Sequence, residues 1–317
     1  MTTDYTREQP IVDSLQDSLD ERLGVGRAGL GRLFVPKDAD EVALAVGAAD
    51  AFGARIAVGE PPPDRLGIDL TALRTTHEID ALSQLVTVGF GVTPAELEVQ
   101  LATQGLALAP LWFADPLAPI GEALARGEAA PLAFAVSAVL PDGTLFRTPY
   151  APRRASGPAP EALVLGQNHR FALLVSATLR VASRVALAQG RRLVGSAASV
   201  LELARTLARN EFPWLGACVT STADSGMCEL TIQCEAAALA HLPDHLSDGQ
   251  LPGALPPGPA RWQSWSQLRV RLEAGETLVA APLDRHGGWV RGEATPGSAV
   301  LDAIARHLDP HSTLEPA

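Results

Sequence analysis

The chain has 317 residues, 47% of them hydrophobic and 19% charged. That is the composition of a soluble globular protein long enough for two lobes. A net charge of -11 leaves no basic stripe to neutralise phosphates, which excludes nucleic acid and anionic membranes as partners, and the polar N-terminus with no apolar run of membrane-spanning length predicts a cytoplasmic protein.

Residues 11–22 place apolar side chains at helical spacing, and Leu33-Phe34-Val35-Pro36 reads as a short strand closed by proline. Between them Gly24-Val-Gly-Arg-Ala-Gly29 spells G-x-G-x-x-G. A dinucleotide fingerprint needs a strand before it and a helix after it, the reverse of this order, so a glycine-rich connector is expected. Asp38 then caps a predicted helix that ends at Gly53, with Glu41 placed to complete a capping box. Residues 55–58 form a strand ended by Pro61-Pro62-Pro63, and residues 84–88 form another, after which Thr93 caps a helix running to Gly105. Residues 133–139 and 144–147 flank Pro141-Asp142-Gly143 as a hairpin, and the alternation over 173–181 supplies a closing strand.

Beyond this point the pattern changes. Residues 186–236 read as strand, helix (199–210), strand (216–222) and strand (227–235), a small α+β unit. A Pro/Gly-rich loop (243–260), a strand pair (267–272 and 276–282) and a last helix (298–308) complete the chain. The expected boundary divides residues 1–184 from 185–317. Cys218, Cys228 and Cys234 match neither a redox pair nor a zinc framework and predict buried, reduced thiols, while Pro243 between His241 and His245 predicts a solvated turn there, so no metal site is expected.

Four segments in order carry a resemblance. They are Phe34-Val-Pro-Lys-Asp-Ala-Asp-Glu-Val42, Thr87-Val-Gly-Phe-Gly-Val-Thr-Pro-Ala-Glu-Leu97, Val139-Leu-Pro-Asp-Gly-Thr144 and Leu308-Asp-Pro-His-Ser-Thr-Leu-Glu-Pro316. Together they resemble the FAD-linked oxidases with a PCMH-type (p-cresol-methylhydroxylase-type) flavin domain, and most closely short forms such as the FAD-binding subunit of glycolate oxidase. The resemblance implies an α+β, PCMH-type FAD-binding fold of two α+β subdomains with a smaller α+β cap. It also implies FAD as cofactor, oxidation of a small hydroxy acid or alcohol, and a small-molecule substrate or a partner oxidoreductase subunit.

By the same resemblance the flavin-contacting loops map onto Val58, Gly59 and Glu60, onto Gly91, onto Ile120 and Gly121 in a shortened segment, and onto Gly166. The family's R-G-G-G-type loop presents N–H groups to a pyrophosphate. Its counterpart here, residues 57–64, keeps Gly59 alone and adds three prolines, Glu60 and Asp64. Prolines remove donors and acids repel an anion, so FAD affinity in the micromolar range or weaker is expected. A second reading stands beside oxidation: a flavin-free relative kept as a non-catalytic subunit or binding scaffold. Arg285, His286 and Arg291, near Trp289, are the catalytic candidates, able to orient a small carboxylate, or else a glycine turn with surface arginines.

Overall fold

The structure is a computed structural model and describes residues 9–108, 115–149, 160–184, 188–221, 227–250, 260–283, 286–291 and 299–314. The first part of the chain runs α1 (Gln9–Leu23), β1 (Leu33–Phe34), α2 (Ala39–Ala51), β2 (Arg55–Val58), β3 (Arg65–Ile68), β4 (Thr76–Asp80), β5 (Leu85–Gly89), α3 (Pro94–Ala102), β6 (Leu106–Ala107), α4 (Ile120–Ala125), β7 (Ala133–Val139), β8 (Leu145–Arg147), β9 (Leu173–Arg180) and β10 (Ala182–Ser183). It continues through β11 (Ala188–Gly195), α5 (Ala197–Arg209), β12 (Trp214–Ser221), β13 (Cys228–Glu235), β14 (Ser247–Asp248), β15 (Ala260–Ser264), α6 (Trp265–Glu273), β16 (Val279–Leu283), β17 (Gly287–Arg291) and α7 (Ala299–Leu308).

Local chemistry sets these boundaries. The Asp38 side chain accepts from the Glu41 N–H and starts α2. Glu41 does not return the bond that a capping box requires. Its carboxylate instead accepts from the Lys37 N–H at 2.9 Å and from both Arg27 terminal nitrogens, at 2.9 and 2.8 Å. The Arg27 hydrogen bond, working against desolvation, lowers the Glu41 carboxyl to about 2. This pair ties the Gly24–Gly29 connector to α2, and because a helix precedes that connector and a strand follows, it is no dinucleotide fingerprint. Thr93 and Glu96 form a complete capping box for α3, with Pro94 at the first turn.

A parallel three-stranded sheet (β1-β3-β2) and an antiparallel five-stranded sheet (β4-β5-β9-β7-β8) share one core that includes Leu19, Phe34, Val46, Ile56, Val88 and Leu174. Leu314 belongs to this core. It pairs in parallel with Ile56, whose N–H donates to the Thr313 carbonyl at 2.7 Å. The end of the described chain thus lies against β2, held by Asp309, which accepts from the N–H groups of Thr313 and Leu314. A separate antiparallel sheet (β14-β11-β13-β12-β16-β17-β15) packs against α5 and α6 around Val200, Leu207, Ile232, Leu268 and Val290.

Residues 267–272 form α6, not a strand. Their alternation satisfies either period, but Leu268 and Leu272, four apart, are buried while Val270 is 67% exposed, and Ser264 and Gln267 form a capping box. His241 ends a 3-10 turn (Ala236–His241), and no group of three metal-ligating side chains occurs among the described residues. No helix among them is long and apolar enough to cross a membrane.

Cys218, Cys228 and Cys234 are buried thiols, and desolvation raises the Cys228 and Cys234 thiols above their ordinary value. Titration of the native protein with a thiol reagent is expected to leave all three unreacted until the protein unfolds. A thiol that reacts in the native state at the rate of a free cysteine would contradict this packing.

Candidate functional site

The segments that the resemblance assigns to the cofactor converge on one cleft of about 270 Å³. Val58 and Gly59 at the end of β2 form one wall; Glu122, Ala125 and Arg126 of α4 and its C-terminus form a second; Asp69, Leu70 and Thr71, with Phe90, Asn168 and His169, close it. Gly91, Ile120, Gly121 and Gly166 stand just behind these walls, and Glu60 is not among the lining residues.

The backbone donors at these positions are already engaged. Gly59 N–H donates to the Ile68 carbonyl at 2.9 Å, Gly91 to Leu73 at 2.9 Å, Ile120 to Val92 at 2.8 Å, Gly121 to Phe90 at 2.9 Å and Gly166 to Leu124 at 3.0 Å. The glycines answer to protein packing. A Cβ on Gly91 would lie 1.9 Å from the Thr71 carbonyl oxygen, and one on Gly121 would lie 2.0 Å from Phe90 Cδ2. The proline loop folds back onto β3. Pro61 sits where a Cβ on Gly67 would come within 2.6 Å of its Cδ, and the Pro62 carbonyl accepts from the Arg65 N–H at 3.2 Å.

Charge in the cleft is set against an anion. Arg126 donates to Glu128 at 2.9 Å and to Glu122 at 3.1 Å, so two carboxylates match its one charge. Asp69 accepts from the Thr71 N–H at 3.0 Å and from the Thr71 hydroxyl. His169 is 4% exposed and its Nδ1 has no hydrogen-bond partner among the described residues. Its ring lies 5.7 Å from that of Phe90, and burial lowers its pKa to about 4, leaving it neutral at pH 7.

The diphosphate of FAD calls for several N–H donors or unmatched cations in a cavity within the range of about 300–1,000 Å³ usual for ligand sites. These walls offer engaged donors and excess carboxylate in a smaller space, and the loop that leaves Gly59 carries three prolines. The residues present do not fit the group.

The catalytic candidates are not gathered here. His286 is exposed, immediately before β17, with its carbonyl accepting from the Trp265 N–H, whereas Arg291 is the last residue of that strand. Five residues of strand separate them by roughly 16 Å. Arg285 lies outside the described residues. Sequence reasoning did not single out Asp69, Thr71, Phe90, Arg126 or His169, which carry the polar and aromatic surface of the cleft. The available signals were the segments of the resemblance in which three of them fall, Phe90 in 87–97, Arg126 beside Ile120-Gly121 and His169 beside Gly166.

No family model and no curated protein matches the sequence. Solved structures do match. Alkyldihydroxyacetonephosphate synthase superposes with a TM-score of 0.63 in each of two crystal forms, at 15% and 14% identity, covering 96% of this chain and 79% of that one. p-Cresol methylhydroxylase with substrate bound gives a TM-score of 0.64 at 12% identity, covering 96% of this chain and 87% of that one. At such identities the likeness is one of architecture: the chain has the α+β fold of the PCMH-type FAD-binding proteins.

Proposed function

We propose that this protein is a relative of the flavin oxidoreductases that works without tightly bound FAD, as a non-catalytic subunit or binding scaffold beside a partner oxidoreductase. The observation that carries the reading is that the N–H groups of Gly59, Gly91, Ile120, Gly121 and Gly166 all bond to carbonyls of the chain itself. Losing three or four charge-assisted bonds at about 1.5–3 kcal/mol each weakens binding by roughly 5–10 kcal/mol, which takes a nanomolar site to the micromolar or millimolar range. Oxidation of a small hydroxy acid or alcohol is supported by the shared fold alone, because in such enzymes the cofactor carries the chemistry and the protein's part is to hold and orient it.

The visible spectrum of the protein as purified tests this reading. It is expected to show no flavin band; a yellow protein with one FAD per chain would overturn the proposal. Replacing the loop through Glu60→Gly, Pro61→Gly, Pro62→Gly and Pro63→Thr restores backbone donors and removes one acid. It is expected to tighten FAD binding about tenfold or more, read by fluorescence quenching.

A further inference from the structure

Away from that cleft, a trough of about 460 Å³ lies between the first turn of α2 and the open face of the five-stranded sheet. Strand register builds its floor. Gly89 on β5 faces Ser176 on β9, Ser176 faces Ser137 on β7, and Ser137 faces Arg147 on β8, giving one continuous row across four strands. Lys37, Asp38 and Asp40 line one side, and Thr75 and His77 line the other.

Two features separate this trough from an ordinary solvated sheet face, which is polar but needs no concavity. Its half-buried Ser137 and Ser176 hydroxyls make no side-chain hydrogen bond among the described residues, although both border the trough. Its cations are equally uncommitted. Arg147 has no carboxylate partner among the described residues, and Lys37 reaches Glu41 only at 3.8 Å, where Glu41 is already bonded to Arg27. The Asp38 carboxylate caps α2 through Oδ1, which leaves Asp40 and the second Asp38 oxygen as acceptors. Cations, paired serines whose Cβ atoms lie about 5 Å apart on adjacent strands, and carboxylate acceptors in one concavity match a ligand that is both an oxyanion and a donor of several hydroxyls.

We propose that this trough binds a small polyol bearing one oxyanion group, with Arg147 and Lys37 on the anion and Ser137, Ser176 and Asp40 on the hydroxyls. The site is separate from the flavin-type cleft and does not depend on how that cleft is read.

Calorimetric titration of the full chain with glucose 6-phosphate, glucose and inorganic phosphate as probes tests it. Glucose 6-phosphate is expected to bind with a Kd of about 1 mM or tighter, and at least about tenfold more tightly than either glucose or phosphate. Arg147→Gln is expected to raise its Kd about tenfold and Ser137→Ala with Ser176→Ala about fivefold, as loss of charge-assisted and neutral hydrogen bonds requires. These positions are exposed or half-buried, so the variants keep their native far-ultraviolet spectrum and melting temperature. No saturable binding of glucose 6-phosphate, equal affinity for phosphate alone, or an unchanged constant in Arg147→Gln would each overturn the proposal.

Discussion

Gly91→Ala is expected to lower the free energy of unfolding by about 3 kcal/mol, and Gly121→Ala by a similar amount, because both overfill a packed site. The added methyl of the first falls 1.9 Å from the Thr71 carbonyl oxygen, and the Thr71 backbone cannot retreat freely because its N–H and hydroxyl are both held by Asp69. The methyl of the second enters the ring of Phe90, which is 2% exposed and would have to shift to make room. Gly59 provides the contrast. A Cβ there meets nothing within 4 Å, so Gly59→Ala is expected to cost only the left-handed strain of its φ of 85°, about 1 kcal/mol. Urea unfolding in the absence of any flavin checks the comparison. Were these glycines present to let a ligand approach, the ligand-free protein would tolerate Gly91→Ala, and an unchanged midpoint would refute the packing role.

Stability is also expected to fall as pH drops from about 6.5 to 4, by up to about 3 kcal/mol from His169 alone. The sign follows from proton binding. In the unfolded chain the imidazole titrates near its ordinary 6.5, whereas burial lowers the folded value to about 4, so between these pH values the unfolded state binds more protons. The stability is complete above the unfolded value and is lost as pH falls toward the folded one. Glu41, lowered to about 2, adds its own loss at more acidic pH, below its ordinary 4.5. Comparing the wild type with His169→Asn isolates the histidine, since asparagine tolerates the φ of 66° at this position. The variant is expected to show a flatter profile between pH 6.5 and 4, and identical slopes, or a His169 titration by NMR near 6.5, would contradict the burial described.

Much of the first sheet system was legible in the sequence because its signals are local. Asp38, Thr93 and Pro94 mark helix starts, Gly53 and Gly143 adopt the positive φ their turns require, and β7 and β8 flank the Asp142-Gly143 turn that the sequence displays. α6 was misread because alternating leucines, valine and polar residues fit both periods, and the deciding fact, burial of Leu268 and Leu272 together, is tertiary. β3 and β4 were missed for opposite reasons. β3 is four residues directly after a proline run, and β4 is the largely polar Thr-His-Glu-Ile-Asp.

The cleft was half legible. Family motifs pointed to Val58, Gly59 and the segments around residues 120 and 166, and these do meet. Asp69, Arg126 and His169 have no mutual spacing in sequence, since the end of β3, α4 and the 166–169 turn are brought together only by the fold, and no pattern reveals that Arg126 is matched by Glu122 and Glu128.

Calorimetric titration of FAD into the unmodified protein decides whether this cleft still holds a dinucleotide. With its donors engaged, Arg126 matched by two carboxylates and three prolines in the loop after β2, the cleft is expected to give a dissociation constant in the micromolar range or weaker. A nanomolar constant with one FAD per chain would contradict it.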